Sequence, residues 1–336
     1  MTRADAFPLT DRRRLLGSAA GLALAATGLT GCDRLAPQQP ITIAAHLWQG
    51  YEPLFMAERQ QWLDARQARL VLTGSASESL KALAAGQVDG AALTLDEVLR
   101  ARADGQPLVI VMVFDVSAGA DKLLLRPPGR TLADLKGHAI AYEAGAVGEL
   151  MLSEALRAAG LSRADVRPVP MPVDRQLEAW DRGLADGFVT YEPMASRLAA
   201  RGAREVFDSR RMPNLIVDVL AVRPQVLNGS QAGAVRHVIE AHFRSLDHFR
   251  THPQDAVHRM AGHLQLPPAE VLKAFRGLLL PNRDGNQRLL GGERPELAAG
   301  ARRVRALLVE LGLVSGNDDL ANLLRADFLP DTPVEP

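Results

Sequence analysis

The sequence of 336 residues holds a single cysteine, Cys32, and no excess charge of either sign. One thiol forms no disulfide within the chain and no multi-cysteine zinc or iron–sulfur site. Lys plus Arg and Asp plus Glu number 39 each, so the chain lacks the broad basic field that nucleic-acid binding needs. We therefore expect neither a disulfide scaffold nor a nucleic-acid partner.

Aromatic residues make up only 4% of the chain, whereas hydrophobic residues as a whole make up 47%. That hydrophobic share is typical of globular proteins and excludes a disordered chain. The length is about twice that of a typical domain of roughly 150 residues, which favours two domains. The G-x-S-x-G, H-E-x-x-H, phosphate-loop and dinucleotide-binding motifs are missing, which favours a protein that is not an enzyme and carries no cofactor.

The sequence before Cys32 suggests a role for the single cysteine. Residues 1–31 have the layout of a signal peptide, in which arginines precede an apolar run from Leu15 to Leu29. This run is too short and too rich in Ala and Gly for a membrane-spanning helix. The Leu-Thr-Gly-Cys that ends at Cys32 resembles the bacterial lipobox, which implies a lipid on that cysteine and an anchored linker over 32–40. An ordinary secretory signal with an incidental cysteine is the alternative, and Sec or twin-arginine export stays open.

The rest of the chain alternates between two periodicities. From Ile41 to Phe114, short β-rich runs alternate with amphipathic stretches of about ten residues, which is typical of parallel strands joined by helices. The alternation restarts at Lys122 and ends in a β-rich run up to Val222, after which the period is helical. We therefore predict an α/β protein with two lobes and a helical C-terminal region.

The restart of the pattern also predicts where the chain passes between the lobes. Two S/T-x-x-E capping boxes, at 75–78 and 94–97, place helix starts directly after strands of the first lobe. The first lobe is predicted at 41–118 with 219–330, the second at 119–218, and the crossing segments at Ser117–Lys122 and Val217–Leu220.

Five segments of this chain stand in an order that is typical of one protein family: 50–57, 83–90, 115–121, 132–137 and 183–193. With these segments the chain resembles type II periplasmic solute-binding proteins of ABC importers. The similarity is to the nitrate/sulfonate/taurine-type family, which also contains thiamine-pyrimidine-precursor binders. It implies a monomer that captures a small molecule between two lobes and delivers it to a permease and its ATPase. It also implies a periplasmic location, on the inner membrane through Cys32, or else on the outer cell surface.

Tyrosine is rare, and its placement predicts the ligand site. All three tyrosines lie at strand-to-helix turns and are followed by glutamate, and Trp48 shares the first of these turns. Rings and carboxylates together favour a cationic or protonated-nitrogen ligand. In the alternative reading the tyrosines close strand ends and the glutamates start helices, where carboxylates are favoured. The three pairs are Tyr51-Glu52, Tyr142-Glu143 and Tyr191-Glu192.

Other polar residues extend the predicted site. Asp121 and Asp218 add negative charge, Ser77 and Ser117 offer hydroxyls, and Gly145 permits close approach of the backbone. The four turns that hold most of these candidates, 46–53, 74–79, 142–147 and 190–194, contain no Lys or Arg. This absence counts against nitrate or a sulfonate, although helix N-termini alone can hold an anion.

Three other functions stay open. One is a sulfonate- or nitrate-type anion binder of the same family, and another is a lipoprotein sensor of ligand. The third is a thiamine-pyrimidine biosynthetic enzyme on the same fold, which uses a cysteine-rich motif that this chain lacks. We expect no metal site, because His248 and His252 share a helix face without a third ligand.

Overall fold

The computed structural model describes residues 39–315 and 318–331. The predicted signal peptide and Cys32 lie outside these residues. No helix among the described residues combines the length and hydrophobicity needed to cross a membrane. The strands are β1 (Ile41–His46), β2 (Ala68–Thr73), β3 (Gly90–Thr94), β4 (Val109–Ser117), β5 (Lys122–Leu125), β6 (Ala139–Tyr142), β7 (Arg167–Pro170), β8 (Gly187–Thr190), β9 (Arg204–Asp208), β10 (Val217–Val222) and β11 (Leu278–Leu279).

The helices alternate with the strands up to β10 and then follow one another. They are α1 (Glu52–Arg59), α2 (Ala76–Ala84), α3 (Leu95–Ala103), α4 (Val147–Ala158), α5 (Gln176–Asp181), α6 (Met194–Ala200), α7 (Gln231–Thr251), α8 (Pro253–Leu264), α9 (Pro268–Ala274), α10 (Arg283–Leu290) and α11 (Glu296–Glu310).

These strands form two mixed sheets, one in each lobe. The first has the order β11-β4-β10-β3-β1-β2, and the second β7-β6-β8-β5-β9. β1 pairs in parallel with β2 and β3, whereas β10 runs antiparallel between β3 and β4. The predicted α/β class with two lobes and a helical C-terminal region is confirmed. The short β11 is an exception within that helical region, because it pairs with β4.

The chain crosses between the lobes twice. It leaves the first sheet after Ser117 and returns over residues 209–216. Val217 to Leu220 were expected to be the returning segment, but they already pair with β3 and β4 inside the first sheet. The two crossings are joined by hydrogen bonds, because the hydroxyls of Ser117 and Ser209 lie 2.7 Å apart. The N–H of Gly119 donates to the same Ser209 oxygen over 2.7 Å.

Strand β4 of the first sheet is shielded from solvent along its whole length. All nine residues of β4 are buried, as expected for a strand covered on both faces, whose sequence reads as a continuous apolar run. The one carboxylate in this run, Asp115, is therefore exceptional.

Helix α11 bridges the lobes. Its Leu308 belongs to the larger hydrophobic core, and its Leu307 packs against the smaller one in the second lobe.

Two helix starts set the geometry of the site. The backbone N–H of Thr94 donates to Glu97 Oε2 over 2.8 Å, as the predicted capping box requires. Ser75 Oγ accepts from the N–H of Glu78 over 3.3 Å. The carboxylate of Glu78 bonds the N–H of Gly74 instead of that of Ser75, so this second box is displaced by one residue. The capping box therefore fixes Glu97 at the carboxyl edge of the first sheet.

Candidate functional site

A narrow cavity lies between the lobes at the carboxyl ends of the first-sheet strands. Its volume is about 10 Å³. That is room for roughly one water. Among the described residues that line it there is no lysine or arginine. They are His46, Trp48, Ala76, Thr94, Glu97, Asp121, Val147, Tyr191 and Asp218.

Aromatic rings from both lobes form one wall. The rings of Trp48 and Tyr191 meet edge to face with centroids 5.2 Å apart. The ring of His46 lies 5.7 Å from Tyr191 and 5.3 Å from Tyr51. Burial lowers the pKa of His46 to about 4, so the imidazole is neutral at pH 7 and adds no positive charge. The wall thus offers π-surfaces without a cation.

A hydrogen bond to a buried carboxylate holds the indole. Trp48 Nε1 donates to Asp115 Oδ2 over 3.1 Å. A Cβ atom at Gly50 would lie 1.8 Å from that oxygen and 2.5 Å from the indole nitrogen. Glycine at position 50 is therefore required for the indole to reach its partner.

Three carboxyl groups line the cavity, and that of Asp115 lies beside one of them. Asp115 and Asp218 are cross-strand neighbours on β4 and β10, and the hydroxyl of Tyr51 donates to Asp218. Burial and the nearby Asp115 raise the pKa of Asp218 well above its usual range. Burial also raises the pKa of Asp121 to about 7 and that of Glu97 to about 8. These carboxyl groups hold protons near neutral pH, and a cation that enters the cavity would displace those protons.

Asp121 is the least satisfied of these groups. Its Oδ2 atom is buried and has no hydrogen-bond partner, while its backbone N–H donates to Ser117 Oγ over 3.2 Å. An unpartnered buried carboxylate oxygen costs free energy. The oxygen is therefore available to a positively charged or hydrogen-donating ligand.

Backbone and side-chain contacts join the lobes beside the cavity. Glu143 Oε1, from the second lobe, accepts from the N–H of Ser77 over 2.9 Å. Glu97 Oε1, from the first lobe, accepts from the N–H of Val147 over 3.1 Å. Next to them, an ion pair joins Arg100 and Glu149 across the lobes with a distance of 3.2 Å. The structure is therefore a closed form.

Several residues predicted from the sequence come together here. Trp48, Tyr191, Asp121 and Asp218 all line the cavity. Others among the predicted residues stand behind the lining and support it, or lie at its edge: Tyr51 bonds Asp218, Ser117 bonds the backbone of Asp121, Ser77 and Glu143 bond each other, and Gly145 donates its N–H to Glu149 over 3.1 Å.

Three predicted residues have other partners. Tyr142 packs in the core of the second lobe and its hydroxyl bonds Arg163. The carboxylates of the other two are also taken by protein groups, so the prediction that they face a ligand is not supported by their contacts. Glu52 bonds Arg59 over 3.1 Å and contacts His263, and Glu192 accepts from the N–H of Ser196 over 2.9 Å and lies 3.6 Å from Lys122.

Sequence reasoning missed three residues of the site. Glu97 was recognised only as the end of a capping box, although its second oxygen reaches the other lobe. Asp115 interrupts an apolar strand, and this signal was available in the sequence. His46 at the end of β1 gave no signal. Among the described residues, no group of three or more His, Cys, Asp or Glu is arranged to hold a metal ion.

Comparison with known proteins assigns the fold to a family. Residues 52–256 match the family model described as NMT1/THI5 like. Over 202 residues the chain is 28% identical to the putative aliphatic sulfonates-binding protein of Escherichia coli (strain K12). This match covers 59% of the chain and 62% of that relative, so it spans less than two thirds of the relative's length.

Solved structures share the fold at lower identity. The alkanesulfonate-binding protein of Xanthomonas axonopodis pv. citri bound to MOPS is 19% identical with a TM-score of 0.70, over 83% of this chain and 96% of that one. The periplasmic aliphatic sulphonate binding protein of Escherichia coli is 22% identical with a TM-score of 0.68, over 85% and 97%. At these identities the likeness concerns the architecture of two lobes around a cavity.

Proposed function

Because the chain belongs to the NMT1/THI5-like family, we propose that it is the solute-binding component of an ABC importer. Its solute is a small nitrogen-containing organic molecule, cationic or neutral, held between the lobes. The observation that carries this proposal is the lining of the cavity. The lining combines the carboxyl groups of Glu97, Asp121 and Asp218 with the rings of Trp48 and Tyr191. It includes no lysine or arginine among the described lining residues.

The energetics are adequate for capture. A cation over an aromatic ring contributes roughly 0.5 to 2 kcal/mol, depending on desolvation. Each hydrogen bond to a charged group adds about 1.5 to 3 kcal/mol. Several such contacts, together with the apolar area that the rings bury, support an affinity of about 1 μM, which corresponds to roughly −8 kcal/mol. The unpartnered Oδ2 of Asp121 gives the ligand a specific anchor.

Capture requires the lobes to move. A cavity open to about one water molecule admits an organic solute only after its walls separate. The crossings at Ser117–Lys122 and 209–216 are the hinge of that motion in our proposal. The lobes expected from the sequence, 41–118 plus 219–330 and 119–218, then change only in that Val217 and Asp218 belong to the first lobe. Closure is then a population shift that the ligand drives by contacting both lobes.

The proposed location follows from the sequence. The lipobox-like end of the signal peptide places a lipid on Cys32, which holds the protein, as a monomer, on the inner membrane or the outer cell surface, beside its permease and ATPase. Labelling of whole cells with a fatty-acid analogue tests this step. The wild-type protein is expected to be labelled and Cys32→Ser not, and label on Cys32→Ser rules the lipid anchor out.

The second candidate is an anion binder of the same family. It is favoured by the relative of 28% identity, which is named as a sulfonates-binding protein. A thermal-shift screen of amines, pyrimidines and quaternary ammonium compounds beside nitrate, taurine and alkylsulfonates separates the two candidates. Stabilisation by the nitrogen compounds supports our proposal, and stabilisation by the sulfonates alone supports the anion binder. Native mass spectrometry of protein with its co-purified solute then identifies the molecule.

A further inference from the structure

Two helices begin at the cavity, one from each lobe. α2 starts at Ala76 in the first lobe and α4 starts at Val147 in the second, and both residues line the cavity. The first N–H groups of a helix have no partner within the helix and carry the positive end of its dipole. A helix N-terminus that faces a cavity is therefore where an anion would bind.

Both N-termini are already taken by a glutamate from the opposite lobe. Glu143 of the second lobe accepts from the N–H of Ser77 in the first turn of α2, over 2.9 Å. Glu97 of the first lobe accepts from the N–H of Val147 at the start of α4, over 3.1 Å. Both glutamates are buried. Each lobe thus supplies the carboxyl oxygen that occupies the helix start of the other lobe.

The arginine beside these contacts is also balanced by carboxylates. Arg100 lies 3.2 Å from Glu149 and 3.5 Å from Asp96. An anionic solute entering the cavity would find one N–H of each helix start occupied by a glutamate and the charge of Arg100 paired with Glu149 and Asp96. It would have to displace two carboxylates and then lie next to them.

We propose that Glu97 and Glu143 are specificity-determining residues that exclude anionic solutes from the cavity. A cation does not compete for the two N–H donors, and it is attracted by the carboxylates wherever they are ionised. An anion breaks the two contacts and is repelled by the displaced groups, which in a partly desolvated site is a large penalty. This inference rests on the proposed function, because it takes the cavity to be the site of the solute.

The test compares propylamine with propanesulfonate, which share a carbon chain and differ in charge. Dissociation constants for both are measured by calorimetry at pH 8.5 in the wild-type protein, in Glu97→Gln, in Glu143→Gln and in the double variant. Glu78→Gln is the matched control, because Glu78 lies on α2 but bonds Gly74 within its own lobe. Circular dichroism and the melting temperature confirm that each variant is folded.

We expect the ratio of the sulfonate to the amine dissociation constant to fall about tenfold for each glutamate replaced, a change of about 1.4 kcal/mol each. Glu78→Gln should leave the ratio unchanged. Glu97→Gln also weakens the cap of its own helix and so can lower stability. Glu143→Gln removes no cap within a helix, and it therefore tests the inference even where Glu97→Gln does not fold. A ratio that stays constant in folded Glu143→Gln and in the double variant overturns the inference and leaves amine binding by the wild-type protein untouched. Wild-type protein that binds no nitrogen compound counts against the proposed function, while tighter sulfonate binding by the variants still supports the inference.

Discussion

The indole of Trp48 and the phenol ring of Tyr191 meet edge to face at 5.2 Å although they belong to different lobes. Trp48 is fixed from behind by Asp115, and Tyr191 follows the last residue of β8. Their contact closes the cavity on one side, so it forms and breaks with any motion of the lobes. This contact and the carboxyl groups that line the same cavity lead to the following predictions.

Tyr191→Ala should weaken binding of a nitrogen cation and, because Tyr191 is itself buried in the larger hydrophobic core, should also lower the unfolding free energy. Loss of a ring that faces the cation removes roughly 0.5 to 2 kcal/mol, which corresponds to about 2- to 30-fold in the dissociation constant. Tyr142→Ala is the counterpart, because Tyr142 packs in the core of the second lobe. That change should cost about 3 to 5 kcal/mol of unfolding free energy and leave affinity unaltered. Calorimetry and chemical denaturation of both variants measure the two effects, and equal losses of affinity would return both tyrosines to a packing role.

Asp121→Asn should weaken cation binding and stabilise the free protein above pH 7. Replacing a charged acceptor by a neutral one removes about 1.5 to 3 kcal/mol of a charged hydrogen bond, or roughly 10- to 150-fold in affinity. The unfolding free energy of the free protein rises by about 1 to 3 kcal/mol. The variant no longer buries a charged carboxylate whose Oδ2 atom has no hydrogen-bond partner. The gain should be smaller at pH 5 and vanish only below about pH 4, because burial raises the pKa of Asp121 from 3.8 to about 7 and the unfolded chain loses its proton above the lower value.

Melting curves of Asp121→Asn at pH 5 and pH 8 check this difference. Asp104→Asn, a change at an exposed aspartate, serves as the control. A variant that is less stable than the wild-type protein at pH 8 would show that Asp121 has a stabilising partner in solution.

Cation affinity should rise with pH between about 6 and 8. The pKa of Asp121 is raised to about 7 and that of Glu97 to about 8 by burial. The folded protein therefore binds protons that the unfolded chain has lost above pH 4, and the unfolding free energy contributed by these groups falls as pH rises from about 4 to 8. A cation binds the deprotonated groups, so its binding releases protons.

Calorimetry in two buffers with different ionisation enthalpies measures this proton release directly. The dissociation constant should fall up to about tenfold per pH unit for each proton released. Proton uptake, or an affinity that does not change with pH, would mean that the ligand does not contact the carboxyl cluster.

Gly50→Ala should destabilise the protein and reduce binding. Its Cβ would lie 1.8 Å from Asp115 Oδ2, so the bond between Trp48 and Asp115 must break, at a cost of about 1 to 3 kcal/mol for overpacking. Gly233→Ala is the control, since Gly233 is an exposed glycine in α7 with open space around its Cβ position. That change should stabilise by about 0.5 to 1 kcal/mol. Melting temperatures that move in the same direction for both variants would contradict the packing around Gly50.

Much of the fold was predictable because local chemistry carries it. The alternation of β-rich and amphipathic runs predicted strands and helices in the right order, and its restart at Lys122 predicted the second lobe. The capping box at 94–97 was predicted and is present, since it depends on residues three apart. The exact return from the second lobe was not predicted, because a β-rich run such as Val217–Leu220 does not reveal in its own sequence which sheet it joins.

The candidate site was likewise predictable in part. Sequence by itself determined that aromatic and acidic residues collect at strand ends, because the periodicity of strands and helices sets where each turn lies. Only the tertiary structure decided which of them face one another: Tyr191 reaches the cavity while Tyr142 turns to Arg163, and Glu97 crosses to Val147 while Glu52 is held by Arg59. The physical reason is that a carboxylate or a hydroxyl takes the donor or acceptor that packing brings within about 3 Å, and packing joins residues far apart in the chain.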